Sequence, residues 1–204
     1  MLFRSICVIL GPSGSGKSTM LNMLGGLDTL DAGDLTIEGR SLIGLMPKER
    51  TLYRKEEVGF VFQFYNLIPD LTVEENIEVV SDISGSPLDL NEVLGALELE
   101  PYRRRFPREL SGGQQQRAAI ARAMIKNPKL LLCDELTGAL DTRSSKNVLQ
   151  FVEKMNRKYG TTVVIITHNE AIAKMADQII RIRDGRVEES VFNEKKIRAE
   201  ELEL

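Results

Sequence analysis

The chain has 204 residues, 42% hydrophobic and 28% charged, which suffices for one domain with a sizeable core and excludes a disordered chain. The net charge of −3 argues against nucleic acid as a partner. No uninterrupted apolar run reaches the roughly 18 residues of a membrane-spanning helix, and Cys7 and Cys133 sit singly in apolar runs, as buried thiols rather than a disulfide or metal site.

The opening MLFRSICVILG reads as a buried strand over residues 6–10 running straight into a glycine loop, not as a signal peptide. A helix begins inside GSGKSTMLNMLGGL and stops near Gly25 and Gly26. GDLTIEGRSL, residues 33–42, reads as a short strand ending in a turn, and VGFVF, residues 58–62, as a second buried strand. Residues 72–127 have a different character. Thr72 and Glu75 form a capping box, LNEVLGA at 90–96 is a short helix, and Ser111 caps a third helix. Ala118, Ala119, Ile120, Ala123 and Met124 give that helix an apolar face, and Asn127-Pro128 ends it. Buried strands resume at 130–133, LLLC, and 163–166, VVII. IIRIRDGRVEESV then signals a hairpin turning at Asp184-Gly185. The charged tail, residues 192–204, is expected to be loose or a surface helix.

Strands separated by helices predict a parallel sheet covered on both faces. The expected fold is therefore α/β, with a core from residues 1–71 and 128–191 and a helical insertion at 72–127. Within it GPSGSGKS matches the phosphate-loop pattern G-x-x-x-x-G-K-[ST], following a strand and opening a helix as the pattern requires. Gly11, Gly14 and Gly16 let the backbone amides of this loop, which also holds Pro12, Ser13 and Ser15, turn inward around the phosphates. Lys17 neutralises the β- and γ-phosphates, and Ser18, followed by Thr19, offers a hydroxyl to Mg²⁺. Asp134 and Glu135 end an apolar strand at its carboxyl edge, where ligands sit in open α/β sheets; Asp134 suits Mg²⁺ and Glu135 suits activation of a water. Gln63 and the sole histidine, His168, follow two other buried strands and share that placement. A nucleoside triphosphate with Mg²⁺ is implied. No N-K-x-D guanine reader is visible, which favours adenine.

One anion site leaves LSGGQ, residues 110–114, unexplained, because Ser111, Gly112, Gly113 and Gln114 form another helix start suited to an anion. Taken together, GPSGSGKS, the glutamine loop around Gln63, LSGGQ, LLLCDE, TGALD and His168, in that order, resemble the ATP-binding subunit of an ATP-binding-cassette (ABC) transporter. The resemblance implies a P-loop NTPase with a mostly parallel core sheet, a helical signature subdomain and a reduced antiparallel β lobe. It implies ATP and Mg²⁺ as cofactors, with Ser18, Gln63 and Asp134 around the metal and Glu135, His168 and Gln63 in catalysis. It also implies a second copy of the chain, head to tail, whose Ser111-Gly112-Gly113 closes on the γ-phosphate held by the first, with Asp141 at the contact. A transmembrane permease is the further partner implied, with the subunit peripheral on the cytoplasmic face of the cell membrane. Phe64, Tyr65, Leu67 and Ile68 would form a groove for it. GGLDTLDAGDLTIEGRSL and FVFQFYNLIPDLTVEENIE narrow the resemblance to lipoprotein-release and macrolide-export members.

The sequence departs from that pattern twice. Members usually carry a longer stretch before the first core strand, including an aromatic that stacks on adenine, and Phe3 is too near the glycine loop to be that residue. Missing lobe strands, an unpaired sheet edge and weak adenine binding are therefore expected. Leu136 stands where members usually have proline, which alters loop stiffness and removes no reacting group. The competing readings are a soluble non-transport ABC ATPase and a catalytically impaired assembly module. Arg103-Arg104-Arg105 is expected to be a solvated loop rather than a nucleic-acid patch.

Overall fold

The computed structural model describes residues 4–138 and 140–204, so Phe3 and the alanine of TGALD lie outside the described residues. A six-stranded sheet forms its centre, in the order β4-β5-β6-β1-β7-β8. The strands are β1 (Ile6–Leu10), β4 (Val58–Val61), β5 (Leu130–Asp134), β6 (Thr162–Thr167), β7 (Gln178–Arg183) and β8 (Arg186–Phe192). The first five run parallel, and β8 returns antiparallel along β7. All four buried strands expected from the sequence are present. The hairpin also forms, with Asp184 at φ 48° and Gly185 at φ 73°, the left-handed pair that a two-residue turn matching strand twist requires.

The pleat divides the core in two. Ile6, Val8 and Leu10 face one hydrophobic cluster while Cys7 and Ile9 face the other, as alternation along a strand dictates. One layer comprises α1 (Lys17–Leu24) and α2 (Pro47–Glu56), whose buried Tyr53 donates its hydroxyl to Leu24 O at 2.9 Å. The other layer comprises α3 (Val73–Ser81), α4 (Leu90–Ala96), α5 (Gly112–Met124) and α6 (Thr142–Tyr159). A short α7 (Glu170–Ala173) follows β6. Helix α6 is capped by Asp141 and stopped by Gly160 in the left-handed region; Val148, Leu149, Val152 and Met155 are its buried face. Among the described residues no helix is long and apolar enough to cross a membrane.

Several expectations change in detail. Residues 33–42 form not one strand but two short ones, β2 (Thr36–Ile37) and β3 (Arg40–Ser41), paired as a separate antiparallel sheet. Glu38 and Gly39, both at positive φ, make the turn between them. The tail is docked rather than loose: Ala199 and Leu202 are fully buried, and Ala199 N donates to Glu153 Oε2 at 3.3 Å. β8 ends the sheet with every residue exposed, consistent with an unpaired edge. In the arginine loop, Arg103 pairs with Glu74, and the Arg105 and Arg103 carbonyls accept the first free amides of α3 at 2.9 Å each, capping that helix.

The stretch between β4 and α3 carries Gln63, and one buried side chain fixes its second half. Asn76, fully buried in α3, donates Nδ2 to Ile68 O (3.0 Å), Leu71 O (2.9 Å) and Thr72 O (2.9 Å) and accepts from Ile68 N at 2.8 Å. Asn76→Ala orphans these main-chain groups and is expected to cost about 2–3 kcal/mol in urea unfolding. A loss below about 0.5 kcal/mol, the size of an ordinary surface change, would contradict this role.

Candidate functional site

The glycine loop between β1 and α1 is shaped by close approach and left-handed backbone. A Cβ at Gly11 would lie 2.2 Å from Ile182 O and 2.8 Å from Ser15 Oγ. Gly14 and Gly16 adopt φ 78° and 95°, which only glycine adopts freely. Gly185 N donates to Ser15 O at 3.1 Å, fastening the loop to the β7–β8 turn. The Lys17 ammonium, on a residue only 8% exposed, folds into the loop and donates to Gly11 O at 2.9 Å and Pro12 O at 2.8 Å. A lysine ammonium held in a glycine loop at a helix start is a ready anion site.

Neighbouring strand ends complete the surroundings. Ser18 Oγ donates to Asp134 Oδ2 at 2.9 Å, joining α1 to the end of β5. Glu135 follows in the left-handed region at φ 53°, an uncommon position for a non-glycine residue that redirects its side chain. Its Oε1 lies 3.0 Å from His168 Nδ1, beyond the end of β6. His168 is largely exposed while the Glu135 carboxylate is mostly covered. Gly11, Ser13, Gly14, Gly16, Lys17, Ser18, Thr19, Gln63, Asp134, Glu135 and His168 all line one cleft of about 970 Å³. Pro12 contributes a carbonyl to Lys17, and Ser15 is buried beneath the loop with its hydroxyl unpartnered.

The signature residues do not join that cleft within one chain. Ser111 caps α5, accepting from Gln114 N at 3.4 Å, and Gln114 Oε1 accepts from Ser111 N at 2.9 Å. Gln115, one residue on, does line the cleft, as do Tyr65, Asn66, Pro107 and Gly138. Of these the sequence reading named only Tyr65, as an apolar loop residue. The signal for Gln115 was its place one turn beyond Ser111 on the same helix. Asp141 caps α6, accepting from Ser144 N at 2.9 Å and Ser144 Oγ at 2.7 Å, and these bonds hold its carboxyl below the usual range. Phe64 and Ile68 are exposed, whereas Tyr65 and Leu67 are half-buried, Leu67 against the core. The apolar stretch of the glutamine loop is thus part surface and part core.

A parallel sheet with a glycine loop after its central strand, and acids, an amide and an imidazole at neighbouring strand ends, defines a P-loop cassette. The chain belongs to the ABC transporter family, whose model, described as "ABC transporter", matches residues 4–138. A Mycoplasma pneumoniae protein named "Putative ABC transporter ATP-binding protein MG065 homolog" is 44% identical over 184 residues, 89% of this chain and 40% of that protein. The lipoprotein-releasing system ATP-binding protein LolD of Blochmanniella floridana is 42% identical over 195 residues, 93% of this chain and 83% of LolD. The solved ATP-binding cassette MJ0796, a dimer in a post-hydrolysis state bound to ADP and Pi, superposes with a TM-score of 0.86 at 39% identity, covering 94% of this chain and 87% of that one. Several relatives are longer, and the chain spans between 39% and 66% of the length of five Mycoplasma proteins that it matches.

The two glycine mechanisms in the loop separate experimentally. Gly11→Ala forces a methyl against a main-chain oxygen and is expected to cost about 2–3 kcal/mol in urea unfolding. Gly14→Ala meets open space and is expected to cost about 1 kcal/mol, from its left-handed backbone alone. Equal losses, or the reverse order, would contradict the packing around Gly11.

Proposed function

We propose that the chain is the nucleotide-binding subunit of an ABC transporter, hydrolysing ATP with Mg²⁺ and working as a pair that drives a separate membrane permease from its cytoplasmic side. The observation that carries this is the convergence of the glycine loop, Asp134, Glu135, Gln63 and His168 on one cleft. In this reading residues 1–71 and 128–191 are the nucleotide core, 72–127 the signature segment and 192–204 an appended tail.

The chemistry follows from the side chains. Loop amides and Lys17 bind the β- and γ-phosphates, and Lys17 exchanges its carbonyl partners for phosphate oxygens. The Ser18 hydroxyl and Asp134 carboxylate, 2.9 Å apart, are hard oxygen donors of the kind Mg²⁺ takes, and Gln63 adds an amide oxygen in the same cleft. Bound there, Mg²⁺ would offset charge on the β- and γ-phosphates. Glu135 accepts a proton from the attacking water at its carboxylate, and His168, in contact with Oε1, keeps that carboxylate oriented. Bond formation between water oxygen and γ-phosphorus, with cleavage to the β–γ bridging oxygen, releases ADP and phosphate.

The signature turn finds its role in a second copy. Gly112 and Gly113 open α5 at the positive end of its dipole and are not among the residues lining their own chain's cleft. A γ-phosphate bound to one chain gains this second anion site from the other, so ATP favours pairing and hydrolysis weakens it. The dimeric state of MJ0796 and the name of LolD support this reading and the lipoprotein-release resemblance.

Glu135→Gln keeps the shape of the site and removes its base. Phosphate release from ATP is expected to fall by about 100-fold or more, while binding of a fluorescent ATP analogue stays within about threefold. Unchanged phosphate release would reject Glu135 as the base; lost nucleotide binding would mean that it serves in binding instead.

A further inference from the structure

Helix α5 does more than present the signature turn. Two of its side chains reach the main chain of the two loops that carry Glu135 and Gln63. Gln116 is 1% exposed and donates Nε2 to Leu136 O and, at 3.4 Å, to Glu135 O. Glu135 O in turn accepts from Gly138 N at 3.1 Å, so Gln116 braces the turn that holds Glu135 at positive φ. Arg122 donates Nη1 to Asn66 O at 2.6 Å and Nη2 to Tyr65 O at 3.1 Å. Among the described residues its guanidinium is bonded to these carbonyls and not to a carboxylate, and burial holds its pKa below the usual range.

The geometry is specific. Residues six apart on a helix point about 120° from each other, so one helix can address two loops at once. Side chains on a helix lean toward its N-terminus, which carries the Arg122 head back toward the signature turn. Tyr65 extends the same contact: a Cβ on Gly112 would lie 3.1 Å from its hydroxyl. The glutamine loop therefore meets α5 at its first residue and again near its last turn. A half-buried arginine bonded to two successive loop carbonyls ties the backbone of this loop to α5.

We propose that Gln116 and Arg122 are positioning residues, through which α5 fixes the Glu135 turn and the Gln63 loop in register with the signature serine and glycines. Their roles in catalysis rest on the ATP hydrolysis proposed above. Displacement of α5 by a partner chain then shifts both loops together, and neither Glu135 nor Gln63 reaches its working place independently of the other.

Hydrogen–deuterium exchange on the nucleotide-free full chain tests the positioning without relying on ATP. Gln116→Met is expected to raise exchange at least tenfold in peptides covering 135–138 and leave 63–69 at the parental rate. Arg122→Met is expected to do the reverse, with Arg122→Lys, which keeps a donor, recovering at least half of the protection. A parental rate in the targeted loop would overturn the proposal, as would a uniform rise across the chain in both variants. Steady-state ATPase assays supply the second arm: each Met variant is expected to lower kcat at least tenfold with KM within threefold. Loop-specific exchange with unchanged kcat would overturn the catalytic role. A parent protein without ATPase activity would overturn the proposed function while the exchange pattern still stood.

Discussion

A parallel sheet sends the carboxyl ends of its strands to one edge, and everything in the candidate site follows from that constraint. The registers Leu10 to Thr167 and Asp134 to Ile166 bring β1, β5 and β6 to a common rim. The next residues in each chain segment, Gly11, Glu135 and His168, share it, with Gln63 just past β4. The sheet can hold these polar groups because β1, β4, β5 and β6 are buried on both faces and meet water at the rim. The Ser18–Asp134 bond then locks the phosphate-loop helix to the acid-bearing strand.

Much of this was legible in the sequence, for reasons that differ by element. ICVIL, LLLC and VVII are apolar throughout, which is how strands covered on both faces read, and polar residues following them had to fall on the rim. Ser111 and Thr72 announced helix starts by their capping partners three residues on. Helix α2 was hidden because PKERTLYRKE buries only Tyr53 and so shows no apolar period. Helix α6 carries a signal that the strand and motif patterns above leave out, an Asp141 cap and a Gly160 stop around an apolar stripe.

What the sequence could not show is how the rim residues are held. Gln116 and Arg122 act on main-chain carbonyls, and a carbonyl has no letter in a sequence. Asn76 and the left-handed Glu135 are likewise tertiary facts. They make α5 the element on which both halves of the proposed chemistry converge: its N-terminus offers an anion site outward, while its side chains brace the residues at the rim. The docked tail has the same character, since its charges suggested exposure while Ile197, Ala199, Leu202 and Leu204 pack against the core.

The central claim is that the anion site at the start of α5 serves ATP held by another copy of the chain. Ser111 is exposed, so Ser111→Arg can block that turn without disturbing the core. Sedimentation velocity with ATP and Mg²⁺, in a Glu135→Gln background, compares chains with and without Ser111→Arg. The expected result is a dimer for the first and a monomer that still binds ATP for the second. A dimer that persists undiminished in the Ser111→Arg chain would contradict the account.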